Sequence, residues 1–283
     1  MRHIANFIIS AALTVMLAAP AQGSVKLRII TFDIMNMEEG ESYMPWTSRS
    51  TDICLKLHKI NADIMGLQDV DSLQLSDLSQ GLPEYKAVAE KGSPVFKHQH
   101  TNPILYNSSI LKLVDSGTFY IAETPEEPGN SWESEYASTV CWAMFQHIKT
   151  GESFLVANTL WDHIGDNYYQ EAAILTKIQL SKMTNKTPVI LMGNFGKNSE
   201  NIFYSTLLSR VFPVQDCWQT AKKRMGNSTV NYLGKADDES NQVCNFIFAS
   251  PVFKIKRMSV ISSKQGDYYL SDYNILLGEM VFQ

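Results

Sequence analysis

Short runs of apolar residues recur along the chain, and several are bounded by turn-forming residues such as Gly, Pro, Asn and Asp. Apolar runs of this length between turn residues are typical of β-strands. They predict strands over residues 26–34, 62–67, 104–106, 140–148, 153–159, 188–192 and 244–249.

Other segments carry apolar residues at helical spacing. In the first of them, Ile53, Leu57 and Ile60 share one side. Ser199 is placed to cap the last one. The predicted helices cover residues 47–60, 168–183 and 199–210. Because strands outnumber helices and the helices fall between them, we expect an α/β fold with helices packed outside a sheet core.

The beginning of the chain has a different pattern. A basic start at Arg2 precedes an apolar stretch over 4–19, which closes in small residues at Ala21. These are the parts of a secretory signal peptide. A transmembrane anchor is the alternative, but the apolar stretch is short for a span. We expect a signal peptide over 1–21 and one exported domain over 22–283, periplasmic or secreted, with no integral membrane segment after signal removal.

Composition narrows the class of protein. With 45% apolar and 19% charged residues, the chain is neither a disordered segment nor a coiled coil. The net charge of -5 argues against a nucleic-acid partner. The cysteines are Cys54, Cys141, Cys217 and Cys244. Their wide spacing excludes a zinc knuckle, whereas a disulfide and buried free thiols both stay open.

Several of the predicted strands end abruptly in polar residues. The ends are Asp33, Gln68-Asp69, Asn158-Thr159 with Asp162-His163 close behind, and Gly193-Asn194, while Ser271-Asp272-Tyr273 precedes a further apolar run. A sheet holds such side chains in fixed positions, so converging strand ends are where α/β proteins build sites. Each one alone also fits an ordinary turn residue.

In this order, the polar strand ends resemble the motifs of the endonuclease/exonuclease/phosphatase superfamily of magnesium-dependent phosphoesterases. The resemblance rests on Thr31-Phe32-Asp33-Ile34, Gly66-Leu67-Gln68-Asp69, Asn158-Thr159-Leu160-Trp161-Asp162-His163, Leu191-Met192-Gly193-Asn194-Phe195, Asn245-Phe246-Ile247-Phe248 and Ser271-Asp272-Tyr273. It implies a four-layer α/β sandwich with two packed β-sheets flanked by helices, spanning residues 22–283.

The resemblance also implies that most catalytic positions are substituted. Catalytic relatives typically read TFN, QE, NTH, GDFN, DYIF and SDH at these places. Here Asp33 replaces the Asn of TFN, Asp69 the Glu of QE, Leu160 the His of NTH, Asn194 and Gly196 the Asp and Asn of GDFN, Asn245 the Asp of DYIF, and Tyr273 the His of SDH. Gln68, Asp272 and the Asp162-His163 pair remain, and His100 takes the place of a family Glu.

These substitutions remove chemistry that phosphoryl transfer needs. Asn194 cannot take a proton from water, Leu160 has no donor for a phosphate oxygen, and Tyr273 has a reference pKa of about 10. We therefore expect an exported, non-catalytic or strongly impaired protein that needs no cofactor and binds an unidentified ligand or protein partner. Leu160 and Trp161 would line a more apolar cleft wall, suited to a ligand without phosphate.

The alternative is an active, divergent phosphodiesterase or phosphatase that uses Mg²⁺ or Mn²⁺. Asp33, Asp69 and Asp272 would then be the metal ligands, with His163 or His100 as a substitute base. The family-site positions to inspect are His163, Asn194, Asn245, Asp272 and Tyr273. Asp33 adds negative charge to the cleft, which further disfavours nucleic acid as a substrate.

Overall fold

The computed structural model describes residues 24–36, 44–89, 101–161, 166–184, 186–210, 212–235 and 242–282. The predicted signal peptide over 1–21 lies outside these ranges, as do His100, Asp162 and His163.

Helices are fewer than strands within the described ranges. They are α1 (Trp46–Ile60), α2 (Ser72–Gly81), α3 (Asp166–Thr184), α4 (Ile202–Leu207) and α5 (Cys217–Thr220), with a 3₁₀ turn at Tyr232–Gly234. None of the helices in this part of the chain is long and apolar enough to cross a membrane.

The strands form two large sheets and a small ribbon. They are β1 (Val25–Asp33), β2 (Ile64–Gln68), β3 (Tyr85–Val88), β4 (Ile104–Asn107), β5 (Leu111–Tyr120), β6 (Thr139–His147), β7 (Ser153–Leu160), β8 (Val189–Asn194), β9 (Gln215–Asp216), β10 (Arg224–Met225), β11 (Asn245–Ala249), β12 (Lys254–Ile261), β13 (Lys264–Gln265), β14 (Tyr268–Tyr269) and β15 (Ile275–Phe282).

Both large sheets are mixed. The seven-stranded sheet has the order β10-β12-β15-β1-β2-β4-β3, and the six-stranded sheet has the order β5-β6-β7-β8-β11-β9. Parallel pairs lie at the centre of each sheet: β1 beside β2, and β7 beside β8. Because β15 and β11 run antiparallel to these, their first residues lie at the edge where the parallel strands end.

Three layers of apolar side chains hold the sheets and helices together. Leu27 of β1, Phe154 of β7 and Ile247 of β11 are part of the layer between the sheets. The alternate residues of the same strands face outward, as the two-residue period of a strand requires. There Phe32 packs with α1, and Leu155 packs with α3. The predicted α/β sandwich of two packed sheets flanked by helices is confirmed.

The sequence pattern located the central elements better than the peripheral ones. Each predicted strand is present within a few residues, and helices α1 and α3 extend slightly beyond their predicted limits. Ser199 as N-cap was wrong: Asn201 caps α4 and accepts a hydrogen bond from the Phe203 amide at 3.1 Å. Elements such as α2, β5, β12 and β15 were not predicted.

All four cysteines are free thiols. Cys54, Cys141 and Cys217 are buried, and Cys244 is half-buried. Of the two states that the sequence left open, the structure has thiols.

A close approach of two strands positions the end of β8. Gly193 has φ of 155° and lies beside Thr159 of the parallel strand β7. A Cβ at position 193 would overlap the carbonyl oxygen of Thr159. Only glycine permits this approach without strain, and the next residue, Asn194, thereby reaches the space between the sheets.

We expect Gly193→Ala to lower the free energy of unfolding by roughly 2–4 kcal/mol, because the added methyl group must displace backbone. Urea unfolding followed by circular dichroism measures the change. Gly129→Ala is the control, since a Cβ there has its nearest neighbour at 3.9 Å. Equal unfolding midpoints for the two variants would contradict the close approach.

Candidate functional site

The layer between the sheets is apolar along most of its length and polar at one end. The polar residues at this end are on the inward faces of their strands: Asp33, Gln68, Asn158, Asn194 and Asn245. Every one of these side chains is at most 3% exposed. We call this set the polar end of the inter-sheet layer.

Two amides join the sheets at the polar end. The Gln68 Nε2 atom donates to Asn158 Oδ1 at 2.6 Å and to Thr31 Oγ1 at 2.9 Å. Asn158 Nδ2 donates to the carbonyl of Leu67 at 2.8 Å. Because these groups are fully buried, each bond also avoids the cost of an unpaired polar atom.

A carboxylate–amide pair forms a second connection between the sheets. Asn194 Nδ2 donates to Asp33 Oδ2 at 2.9 Å, and the Met35 amide donates to Asp33 Oδ1 at 3.1 Å. The Gly196 amide donates to Asn194 Oδ1 at 3.0 Å, which fixes the orientation of the Asn194 amide. Ser271 Oγ donates to the Asp33 carbonyl at 2.7 Å, so the segment before β15 is held against the end of β1.

Three carboxylates form an acid cluster: Asp33, Asp69 and Asp272. Burial raises the pKa of Asp33 well above its usual value, and the charges of Asp69 and Asp272 raise it further. Burial also raises the pKa of Asp272 to about 6, and the charge on Asp69 contributes to that rise. The three groups are therefore close enough to repel one another when ionised.

The backbone around the acid cluster is strained. Met35 and Asp69 have φ of 58° and 59°, in the left-handed region that residues other than glycine seldom adopt. The Asn36 amide donates to Asp69 Oδ2 at 2.9 Å, and Gln74 Nε2 donates to the Met35 carbonyl at 2.7 Å. Such conformations persist only where the surroundings impose them, and they concentrate at functional sites.

Arg49 of α1 fixes this backbone. Its guanidinium donates to the carbonyls of Ile34 and Leu270 through Nη1, Met35 and Asn36 through Nη2, and Met44 through Nε. Five N–H donors are all that a guanidinium has. Arg49 is 4% exposed and stacks on Trp46 at 5.4 Å, so the acid cluster faces a buried cation that binds backbone rather than carboxylate.

Tyr273 lies next to the acid cluster. Burial raises the pKa of its phenol, and the charges of Asp33 and Asp272 raise it further, against a hydrogen bond from the Asn194 side chain. The phenol therefore keeps its proton near neutral pH and can donate a hydrogen bond, but it cannot act as a base.

The donor chemistry of the cluster suits a hard cation. Carboxylate oxygens are the ligands of Mg²⁺ and Mn²⁺, and Mg²⁺ is commonly bound through one or two carboxylates and waters. Within the described ranges, no three His, Cys, Asp or Glu side chains are arranged to hold a metal ion. Both oxygens of Asp33 accept hydrogen bonds, and the Asn36 amide donates to Oδ2 of Asp69, so an ion at either carboxylate would share its oxygens with these donors.

The structure brings most of the sequence-predicted positions together. Asp33, Asn194, Asp272 and Tyr273 interact directly or electrostatically, and Asp69 joins them. Asn245 pairs with Asn194 in the sheet register. His163 and His100 lie outside the described residues.

The predicted apolar wall was wrong in one respect. Trp161 is fully buried and packs against Phe195 and Phe203, with ring centroids 4.8 and 5.6 Å away. Trp161 therefore belongs to the layer between the six-stranded sheet and its helices rather than to the cleft. Leu160, at the end of β7, is half-buried beside Asn194 in the register.

Sequence reasoning missed Arg49. Its position carried a signal, because Arg49, Ile53 and Leu57 follow one another at four-residue spacing on the buried side of α1. A charged residue on an apolar helical stripe needs partners when buried, and here the partners are backbone carbonyls.

Comparison with known proteins finds solved structures with the same fold. No protein-family model matches the chain, and no curated protein matches its sequence significantly. A solved endonuclease/exonuclease/phosphatase from Bacteroides vulgatus superimposes with a TM-score of 0.87 at 26% identity, covering 92% of this chain and 100% of that one. The chain has the fold of the endonuclease/exonuclease/phosphatase superfamily.

Two other solved structures extend the similarity to this superfamily. An endonuclease/exonuclease/phosphatase family protein from Bacteroides thetaiotaomicron has a TM-score of 0.85 at 24% identity, with 93% of this chain and 97% of that chain covered. A mannosyl-6-phosphatase from Bacteroides thetaiotaomicron VPI-5482 has a TM-score of 0.83 at 25% identity, with 90% and 100% covered.

The acid cluster predicts a pH-dependent stability. The raised pKa values of Asp33 and Asp272 mean that the folded state binds more protons than the unfolded state between about pH 4 and pH 6. Stability from these groups is therefore present at low pH and lost as the pH rises through the folded-state pKa. Without divalent ions, we expect a higher melting temperature at pH 5 than at pH 7.5.

Asp272→Asn should reduce the difference in melting temperature between pH 5 and pH 7.5, because the amide does not ionise. Asp267→Asn, at an exposed position, is the matched control and should leave the difference as in the wild type. Thermal unfolding in buffers of equal ionic strength measures both. An unchanged difference in Asp272→Asn would show that the cluster does not cause it.

Proposed function

We propose that this chain is an exported protein in which metal-dependent phosphoester hydrolysis is absent or strongly impaired, and that its cleft binds a ligand. The observation that carries the proposal is the hydrogen bonding around the acid cluster. Among the described residues around the cluster, the side chains at these positions are amides, a protonated phenol, and an arginine whose donors are all in use.

The charge distribution supports this proposal. A phosphate group entering the cleft would approach Asp33, Asp69 and Asp272, and anions repel one another strongly where water is scarce. Arg49 offers no compensation, because its N–H groups are bonded to backbone carbonyls. The apolar Leu160 further reduces the donors available to phosphate oxygens.

Export is supported by the sequence of residues 1–21 alone. The mannosyl-6-phosphatase among the similar structures and the negative charge of the cleft together make mannose and related sugars without phosphate the first ligands to test.

The proposal predicts no metal-dependent hydrolysis of p-nitrophenyl phosphate, bis-p-nitrophenyl phosphate or mannose 6-phosphate with Mg²⁺ or Mn²⁺. Loss of a single positioned donor commonly costs ~100-fold in rate, so the combined changes should leave turnover near background. Phosphate and p-nitrophenol release measure this. Metal-dependent turnover that disappears in Asp69→Ala would overturn the proposal.

Restoring the family set tests whether the scaffold can still support the chemistry. The restored protein carries Leu160→His, Asn194→Asp, Gly196→Asn, Asn245→Asp and Tyr273→His together with Asp33→Asn. We expect turnover to appear in this protein and not in the same set without Asn194→Asp. Asp33→Asn is included because two carboxylates at positions 33 and 194 would repel each other.

One observation favours the alternative, an active divergent Mg²⁺- or Mn²⁺-dependent phosphoesterase. Relatives carry an amide at position 33 and a carboxylate at position 194, and this chain carries the reverse pair in direct contact. The carboxylate therefore lies at the end of β1 in the seven-stranded sheet, instead of at the end of β8 in the six-stranded sheet. In this alternative, Asp33 takes the proton and Asp69 with Asp272 holds the ion that would lower the pKa of bound water.

A double-mutant cycle on Asp33 and Asn194 tests whether the carboxylate and the amide have been exchanged between these positions. Asp33→Asn leaves two amides in contact and should lower the free energy of unfolding. Asn194→Asp places two carboxylates in contact and should lower it by roughly 2–4 kcal/mol. The double variant should recover most of that loss, because it recreates the pair in reverse. Urea unfolding measures the coupling, and strictly additive losses would contradict the exchange.

The same variants report on catalysis. If the chain is active, turnover disappears in Asp33→Asn and returns in the double variant. If it is non-catalytic, stability follows the cycle while turnover stays at background in every variant.

A further inference from the structure

A basic face lies at one end of the seven-stranded sheet. It is formed by β10, β12, the residues next to them and the start of β1, and every cation in it is exposed. The cations are Lys26, Lys222, Lys223, Arg224, Lys254 and Lys256. The chain has a net charge of -5, so this concentration of positive charge is local to one face rather than a property of the whole protein.

The strand register places the cations together. Leu27 of β1 and Ile255 of β12 belong to the apolar layer between the sheets, so the neighbouring Lys26 and Lys254 lie on the opposite side of the sheet. Both lysines pair in register with Val281 of β15 and therefore flank it, one strand spacing of about 4.8 Å away on either side. Strand β10 runs beside β12 and adds its own cations to the same end of the sheet.

The helical layer stops at the border of the basic face. Arg28 of β1 donates through Nη2 to the carbonyl of Ile60, the last residue of α1, at 2.9 Å. Glu279 of β15 pairs with Arg28 and with Arg257, so these two arginines are neutralised in part. In the part of the chain that the structure describes, no carboxylate forms an ion pair with the six cations of the basic face. Their charge is therefore directed to solvent.

The opposite end of the sandwich is acidic. Residues 121–138 connect β5 to β6 at the end where the acid cluster lies, because Val140 pairs with Thr159 near the end of β7. This connection has no Lys or Arg, and its exposed acids are Glu123, Glu126, Glu127, Glu133 and Glu135. Lys26 and Asp33 are seven residues apart on β1. At about 3.3 Å per residue, the basic face is therefore roughly 23 Å from the acid cluster.

We propose that the basic face binds the surface of an anionic phospholipid bilayer, and that the acid cluster then faces away from the lipid. The cations are spread over neighbouring strands of one sheet, so they form a broad array that can contact several headgroups at once. Exposed charges are screened beyond about 8 Å at physiological salt. Because the acidic end lies roughly 23 Å away, it scarcely weakens the attraction between the basic face and the lipid.

The neighbouring side chains favour a lipid surface over a dissolved polyanion such as nucleic acid. Single-stranded nucleic acids bind in basic grooves that also provide aromatic side chains for stacking. Phe253 and Phe282 at this end are buried, whereas Met225 of β10 is 58% exposed beside Arg224. An exposed methionine next to cations adds an apolar contact with the boundary between headgroups and acyl chains. The inference does not depend on the proposed function, because binding is measured without hydrolysis.

Sedimentation of the full chain with vesicles measures the binding. Vesicles of phosphatidylcholine alone are compared with vesicles that contain about one third phosphatidylglycerol. The apolar stretch over 4–19 contributes equally to both, so the ratio of the two partition coefficients reports the electrostatic part. We expect a ratio of at least about 100 in about 0.1 M salt, because each Lys or Arg near such a surface contributes a factor of roughly five. In about 1 M salt the ratio should be close to one, since the charges are screened.

Two charge-matched variants test whether the position of the cations decides the binding. The first removes four lysines of the basic face: Lys222→Gln, Lys223→Gln, Lys254→Gln and Lys256→Gln. The second removes four exposed lysines from other parts of the surface: Lys59→Gln, Lys86→Gln, Lys112→Gln and Lys182→Gln. We expect the ratio to fall at least about 50-fold in the first variant and less than about threefold in the second.

Both variants should unfold at nearly the wild-type temperature, because surface substitutions have small effects on stability. Equal losses of binding in the two variants, or a ratio close to one for the wild type in low salt, would overturn the proposal. Duplex DNA and polygalacturonate are tested at the same concentration of negative charge. Tighter binding to either of them than to the anionic vesicles would assign the face to a dissolved polyanion and would also overturn it.

Discussion

The hydrogen bond between Asp33 and Asn194 connects the two sheets at the candidate site. Each residue lies at the end of a central parallel strand, and each belongs to a different sheet. The inward faces are apolar as far as Ile29 in β1 and Met192 in β8, so the hydrophobic layer brings the strand ends together and the hydrogen bond fixes their separation. Ser271 and Gly196 then attach the neighbouring loops to the same pair.

Arg49 complements this pair from the helix side. It donates to carbonyls of the segment after β1 and of the segment before β15. It also supplies positive charge next to the three carboxylates of the acid cluster without pairing with any of them. The cluster is therefore less repulsive than its composition suggests, and yet the cation is not available to an incoming anion.

The central part of the fold could be predicted from the sequence because its signals are local. Strands β1, β7 and β8 are short apolar runs between turn residues, and α1 carries a regular apolar stripe. The edge strand β5 escaped prediction because most of its side chains are exposed or only half-buried, so the apolar pattern is weak. Helix α2 has a capping box at Asp71 and Gln74 but little apolar periodicity.

The candidate site could be predicted only as a set of positions. The sequence by itself determined which strands end in polar residues and which of those residues differ from the superfamily motifs. Only the tertiary structure decided that Asp33 bonds to Asn194, that Trp161 turns away from the cleft, and that Asn245 is buried without a hydrogen-bond partner among the described residues. The physical reason is that strand periodicity is encoded along the chain, whereas a hydrogen-bond partner, a burial environment or a pKa depends on residues brought together across two sheets.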